Sequence, residues 1–408
     1  MRDRRAGTTD GANPNATYYP ALDGIRALAV CMVFFDHYAQ FSLGGAGVDI
    51  FFVLSGFLIT GLLFDQQHKP HRYRNFYMRR TLRIFPLFYG VWLGLLFATP
   101  LLHIHVYWRP LNLLWPLYLG NYIPAWIALH HVVGLDAMHV MFRRRAGSTG
   151  YLYTGHFWSL CVEEQFYLFW PWVVFQVRNR ARLMALCVTV IVASPLSRAT
   201  LLWAFPAMPM SMIHSATPLR LDEFLMGGLA ALILRGPAAG KLRAAGPWLL
   251  AGGVAALAAV WTRYAGQNPG GWGILADERW LLRFGFTLFG ITSLGLVLTC
   301  LNDRSWLSRV FLWRPLRELG KVSYGFYVFH DIPRQLYSGL ASRMHLIGYT
   351  WLVVPFAGTL ALSFTSFYLW ERPFLLLKTR FEGPPGKAME LKTGTPHPPE
   401  LVLPRANL

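Results

Sequence analysis

An all-α fold is expected, a polytopic transmembrane helical bundle of about ten spans, with room for an eleventh and both termini cytoplasmic. Three observations carry that expectation. Of 408 residues, 54% are hydrophobic and 15% aromatic, and the mean hydropathy is +0.34. The apolar residues recur in runs of about 18 to 22, the length that crosses a bilayer as a helix. The basic residues gather between alternate runs, as topology requires. Together these exclude an ordinary soluble globular protein.

Residues 1–20 are polar and turn-rich, with no apolar core before a cleavage site, so no removable signal peptide is expected. The predicted bundle occupies 21–374, with spans at 22–41, 44–64, 84–102, 157–177, 183–203, 221–235, 247–264, 281–300, 318–336 and 351–370. The first two are joined by the tight turn Ser42 to Gly47. The third follows the basic MRRTLRIFP stretch, with Pro86 near its first turn. The fourth opens on the aromatic GHFWSLCVEEQFYLFWP, the sixth on RLDEF, the ninth on LGKVSYGFYVFH, and the last closes on WERPF. The tail 375–408 is Pro-rich and polar and is expected to be disordered.

Charge decides the span count. With ten spans and the N-terminus inside, the cytoplasmic regions carry 22 Lys or Arg up to residue 380. An eleventh crossing at 111–131 would send Arg178, Arg180, Arg182 and every later cluster to the outer side. Residues 103–156 are therefore read as one outward loop with an interfacial or re-entrant piece, against which Arg143, Arg144 and Arg145 stand out. Net charge is +18. Because the excess lies at helix ends, it points to anionic lipid headgroups and not to nucleic acid. Four cysteines without paired spacing suggest neither a disulfide framework nor a metal site.

The chemistry is sought where charge meets apolar sequence. A charge at the centre of a bilayer segment costs about 2.5 to 3.5 kcal/mol by insertion scales, so such residues face a protein interior or an aqueous cavity. The first span carries Asp23, Arg26, Asp36 and His37, and the second carries Asp49. Arg26 and His37 share one helical face, about 16 Å apart along the axis. The turn back brings Asp49 toward His37, either as a simple neutralising pair or as part of a site. Arg79, Arg80 and Arg83 at a helix start suit phosphate, through bidentate hydrogen bonds and the positive helix end, unless they are ordinary inner-face anchors.

Ser159 and Glu163 lie four apart on one face beside Trp158, with Glu164 turned about 100° away. One of these acids is either a general acid or base or a group that orients a hydroxylated ligand. The bland alternative is an aromatic belt with exposed acids. Arg220 and Asp222 are close enough to be an ion pair, Ser323 and His330 share a face with Tyr327 between them, and Glu371 is a structural partner for Arg26 or Arg83. No nucleotide-binding loop, metal spacing or nucleophile elbow is present in the sequence.

These stretches resemble, in order from about 20 to 374, the membrane acyltransferase 3 family of bacterial O-acyltransferases. Its members modify surface polysaccharide, lipopolysaccharide, nodulation factors or macrolides. The departures are Cys161, where a Ser is usual, and Asp331, where a Trp is expected after His330. The resemblance implies a multi-pass protein of the bacterial inner membrane that takes an acyl group, commonly acetyl, from cytoplasmic acyl-coenzyme A to a hydroxyl of a carbohydrate or glycolipid. In that reading Arg26 to His37 is the R-x10-H motif and Arg80 to Arg83 the RxxR motif. His37 acts as base or acyl carrier with Asp49 fixing its tautomer. Arg26 lines the donor channel, and Arg79, Arg80 and Arg83 hold the donor. Glu163, Glu164, Trp158, Ser159, Arg220, Asp222, Ser323 and His330 complete the catalytic and acceptor side. Two other classes fit the buried charges: a proton-coupled transporter, and a non-catalytic polysaccharide-binding membrane component.

Overall fold

The computed structural model describes residues 19–39, 43–101, 104–106, 113–123, 126, 142–144, 151–152, 154–206, 208–265, 280–302, 304–346 and 348–381. Helix dominates, because in lipid each backbone polar group must be satisfied within its own segment. The long elements are α1 (Pro20–Ala39), α2 (Ala46–Asp65), α3 (Arg72–Leu101), α4 (Trp158–Gln176), α5 (Arg180–Ala204), α7 (Leu221–Ile233), α8 (Ala239–Ala265) and α9 (Phe286–Cys300), with the short α6 (Met210–Ser215) before α7. Then come α10 (Trp306–Phe311), α11 (Arg314–Lys321), α12 (Ser323–Phe329), α13 (Arg334–Arg343), α14 (Val353–Ser366) and α15 (Arg372–Leu376). Among the described residues, three short antiparallel strands, β1 (Ile104–Val106), β2 (Phe142–Arg144) and β3 (Tyr151–Leu152), pair in the order β1-β2-β3, with Ile104 opposite Arg144 and Phe142 opposite Leu152.

Among the described residues, six helical stretches are long and apolar enough to cross a membrane: Ala46–Asp65, Arg72–Phe97, Arg180–Ala204, Ala239–Arg263, Leu281–Cys300 and Gly348–Phe381. The first and fourth expected spans are also helices, but Asp23, Arg26 and Asp36 in α1, and Glu163 and Glu164 in α4, make them more polar. Two expectations change. The sixth span shortens to the 13 residues of α7, about 20 Å against a hydrocarbon core near 30 Å. It is buried along most of its length. The ninth span, 318–336, breaks into α11, α12 and α13. Pro333 disfavours helix at the residue before it, so α12 stops at Phe329 and leaves His330 and Asp331 at the break, both fully buried.

The eleventh-span candidate is not a long helix over 113–123, which forms turns and the 3-10 segment Gly120–Tyr122 with Trp115 buried beneath it. Most of 127–150, including Arg145, lies outside the described residues, as do the N-terminal segment through residue 18 and the tail from 382. Helical structure runs past the expected boundary at 374, through α15 and on to Phe381.

The core gathers around α2, which packs on α1, α4, α7 and α9. Phe224 of α7 stacks between Phe52 of α2 and Phe166 of α4, with centroids 4.4 Å from each. Backbones make this contact possible. A Cβ on Gly56 would lie 1.7 Å from the Phe224 carbonyl oxygen, and one on Gly227 would lie 2.1 Å from that of Val53. Small residues of this kind let membrane helices approach closely.

Gly56→Val is expected to lower stability by about 1–3 kcal/mol through overpacking. Gly252→Ala, on the exposed face of α8 with nothing near its Cβ, is expected to be neutral or to stabilise by up to about 1 kcal/mol. Thermal unfolding followed by tryptophan fluorescence in detergent compares the two.

Candidate active site

Two polar cavities lie against each other inside the bundle. One, of about 730 Å³, is lined by Arg26, Arg80, Arg83, Ser55, Ser159, Glu163, Glu164, Tyr167, Ser323 and Tyr324. The other, of about 760 Å³, is lined by Asp36, His37, Asp49, His156, Trp158, His214 and Arg220. Val48 and Tyr327 line both. The Tyr327 hydroxyl donates to the His156 carbonyl at 2.7 Å and lies 2.5 Å from Ser159 Oγ. Its ring is thus pinned into the wall between them.

In the first cavity the guanidinium of Arg80 lies 3.6 Å from the centre of the Tyr167 ring, a cation–π arrangement. Arg26 pairs with Asp23 at 3.0 Å. Glu163 Oε1 accepts from Ser55 at 2.5 Å and from Tyr167 at 3.2 Å. Glu164 Oε1 is buried with no hydrogen-bond partner among the described residues. Arg79 does not line this cavity. Glu371 accepts from Ser366 at 3.0 Å and lies within the field of Arg83, so Arg26 is not its partner.

The second cavity is built around His37, at the C-terminal end of α1. Its Nδ1 lies 2.7 Å from His330 Nε2, and the two rings meet edge to edge, with centroids 4.9 Å apart and planes 11° apart. Asp331 Oδ2 lies 3.8 Å from His37 Nδ1 and 3.9 Å from His156 Nδ1. Asp331 Oδ1 is 2.9 Å from Arg334 Nε, and Arg334 Nη2 donates to the His37 carbonyl. His156 Nε2 lies 3.2 Å from the Val328 carbonyl oxygen. Two histidines, His37 and His156, thus flank one buried carboxylate. In α6, outside the long helices, burial pushes His214 down to about 3, with Arg220 adding to the shift. That imidazole is neutral.

This geometry corrects several expectations. Asp49 does not fix the His37 tautomer: its Oδ1 accepts from Arg220 Nη2 at 2.7 Å, across from Glu223, whose Oε1 accepts from Arg220 Nε at 2.9 Å. A permanent cation offsets a buried carboxylate, which a neutral imidazole cannot do. Arg220 and Asp222 are not each other's partners either. Asp222 is held by Arg198 through two bonds of 2.9 and 2.8 Å and by Thr287 at 2.6 Å, and it lines neither cavity. Ser159, Glu163, Glu164 and Ser323, expected beside the acceptor, line the arginine cavity instead. Trp158 and Arg220 line the His37 cavity, and His330 reaches it through His37. His156 and Arg334 went unread in the sequence, although His156 directly precedes the FWSLCVEEQ stretch. Asp331 was visible only as a departure from a family pattern.

Fold and site together define a multi-pass helical membrane protein with a histidine cavity backed onto an arginine cavity. Residues 19–370 match the acyltransferase 3 family, described as an acyltransferase domain, and the chain belongs to that family. Among its relatives, a putative peptidoglycan O-acetyltransferase YrhL of Bacillus subtilis is 31% identical over 335 residues, covering 77% of this chain and 48% of that protein. The peptidoglycan O-acetyltransferase OatA of Listeria monocytogenes is 27% identical over 328 residues, 77% of this chain and 49% of that one. An O-acetyltransferase OatA of Staphylococcus aureus is 26% identical, with 77% and 50% covered. The chain therefore spans about half the length of these relatives. No solved structure matches.

Removing the cation from the Asp49–Arg220–Glu223 cluster leaves two carboxylates buried without it. Arg220→Ala is expected to destabilise by about 3–5 kcal/mol. The triple change Arg220→Met, Asp49→Asn, Glu223→Gln is expected to recover most of that loss, as read from unfolding midpoints in detergent.

Proposed function

We propose that this protein is a membrane O-acyltransferase that moves an acetyl group from cytoplasmic acetyl-coenzyme A to a hydroxyl of a cell-envelope carbohydrate. Peptidoglycan is the acceptor to which the names of its relatives point. The observation that carries the reading is the shared wall: a cavity with three arginines and a cavity lined by His37 meet at Val48 and Tyr327. A nucleotide-bearing donor needs cations for its phosphates and a long arm to deliver a thioester. Arg26 and His37, about 16 Å apart on one helix, supply those two ends.

In this mechanism Arg80 and Arg83 bind donor phosphates as bidentate guanidinium forks, with Arg79 contributing charge at the mouth. Arg26 lines the donor path. His37 takes the proton of the acceptor hydroxyl as general base. The alkoxide oxygen forms a bond to the acyl carbon, the carbon–sulfur bond breaks, and the proton passes from His37 to the thiolate sulfur. Trp158 offers an aromatic face to a sugar ring, and Arg220 with Asp49 forms the polar floor of that cavity. Glu163 and Glu164, with Ser159 and Ser323, serve the donor side.

The topology that goes with this function has about ten crossings of the bacterial inner membrane, both termini cytoplasmic, and the arginine cavity at the inner face. The positions of Lys and Arg along the chain support it. The transporter reading finds no support in the family match.

Release of coenzyme A thiol from acetyl-coenzyme A, with label transfer to a peptidoglycan acceptor, tests the proposal in protein reconstituted in nanodiscs. His37→Ala is expected to lower turnover by about 100-fold or more. Arg83→Ala is expected chiefly to raise the KM for acetyl-coenzyme A. Transfer that continues unchanged without His37 overturns the mechanism.

A further inference from the structure

The direction of two hydrogen bonds fixes where the protons sit on the paired histidines. A backbone carbonyl oxygen can only accept. His330 Nδ1 lies 2.6 Å from the Tyr327 carbonyl oxygen, so that nitrogen carries a hydrogen. A neutral imidazole has one N–H, and its other nitrogen presents a lone pair. His330 Nε2 is therefore the acceptor in the 2.7 Å contact with His37 Nδ1, and His37 Nδ1 is the donor. The hydrogen of neutral His37 is spent on His330. Its Nε2 is left bare, with no hydrogen bond from any described residue.

We infer that His330 is a positioning residue that sets the tautomer of His37, so that the free lone pair of His37 is on Nε2 and available to a hydroxyl in the cavity. The inference rests on the acyltransferase reading for its use in catalysis, but not for the tautomer itself. His330 is held for this task from three directions. The end of α12 at Phe329 leaves the Tyr327 carbonyl open, and the His330 side chain caps it, as exposed carbonyls at helix ends require. Tyr38 of α1 donates to the His330 carbonyl at 2.6 Å. The third contact is His37 itself, whose ring lies edge to edge with that of His330 and nearly coplanar with it. His330 is fully buried, where a second proton would add a charge away from water, and the ring is taken in its neutral form.

The chemistry balances. When His37 Nε2 takes the acceptor's proton, the ring becomes an imidazolium. Its Nδ1–H stays bonded to His330 Nε2, and the Asp331 carboxylate oxygen 3.8 Å away offsets the new charge. The proton then leaves from Nε2 to the thiolate, and the starting tautomer is restored with nothing lost through His330.

The experiment uses full-length protein in nanodiscs, labelled with 15N-histidine and assigned by comparison with the His37→Gln and His330→Gln variants. Two-bond couplings distinguish the tautomers. His37 is expected to carry its hydrogen on Nδ1 in the parent protein, and His37 found with its hydrogen on Nε2 overturns the inference. Turnover gives a second test. His330→Leu removes the acceptor nitrogen and is expected to lower kcat by about 100-fold, while the KM for acetyl-coenzyme A stays within about threefold. In His330→Gln an amide oxygen can stand near the position of Nε2, and this variant is expected to recover most of the loss. Equal losses in the two variants sink the inference. A parent protein with the Nδ1–H tautomer that transfers nothing from acetyl-coenzyme A defeats the acyltransferase reading and leaves the tautomer assignment standing.

Discussion

Neutralisation of buried charge at the junction of α2 and α7 is the constraint on which the arrangement of the bundle depends. Arg220 is 1% exposed and Asp49 2% exposed, so each would be costly alone. Their bond draws the start of α7 against the start of α2, and the glycine contacts lower down let the two backbones touch. The Arg220 guanidinium also lies 3.7 Å from the centre of the Phe286 ring, which ties α9 to the same point. Arg198 does the same for α5 by holding Asp222. With the carboxylates of α2 and α7 committed to arginines, the hydrogen bond of His37 falls to His330.

Much of the helical frame was legible because the apolar runs have bilayer length and sharp polar edges. The run read at 44–64 folds as 46–65, and that at 281–300 as a π-turn continuing into α9. The two spans that differ fail for local reasons. Residues 221–235 are apolar enough, but the helix ends at Ile233 before the basic turn at Arg235. Residues 318–336 read as one run only when Pro333 is ignored. Hydropathy reports transfer into an apolar phase, and a short buried helix satisfies it as well as a spanning one does.

The pairings of the site were less legible, because they join residues far apart in sequence. His37 and His330 are separated by 293 positions, and Asp49 and Arg220 by 171. Helical spacing correctly put Arg26 and His37 on one face, yet nothing in it told Asp49 to prefer a guanidinium over a nearer imidazole. The same limit explains Ser159 and Glu163. Their spacing put them on one helical face, but which cavity that face lined depended on how α4 is rotated against α2, where Ser55 donates to Glu163.

The partition between the two cavities has a consequence for the cell as a whole. A membrane that stores a proton gradient cannot tolerate a continuous wet path through any of its proteins. Here two polar chambers stand back to back, and the partition is thin: a valine, and a tyrosine tethered by its hydroxyl to Ser159 and the His156 carbonyl. Any substrate arm long enough to pass from one chamber to the other must displace the plug and take its place. The seal would then be kept by whichever body occupies the gap, as in an airlock.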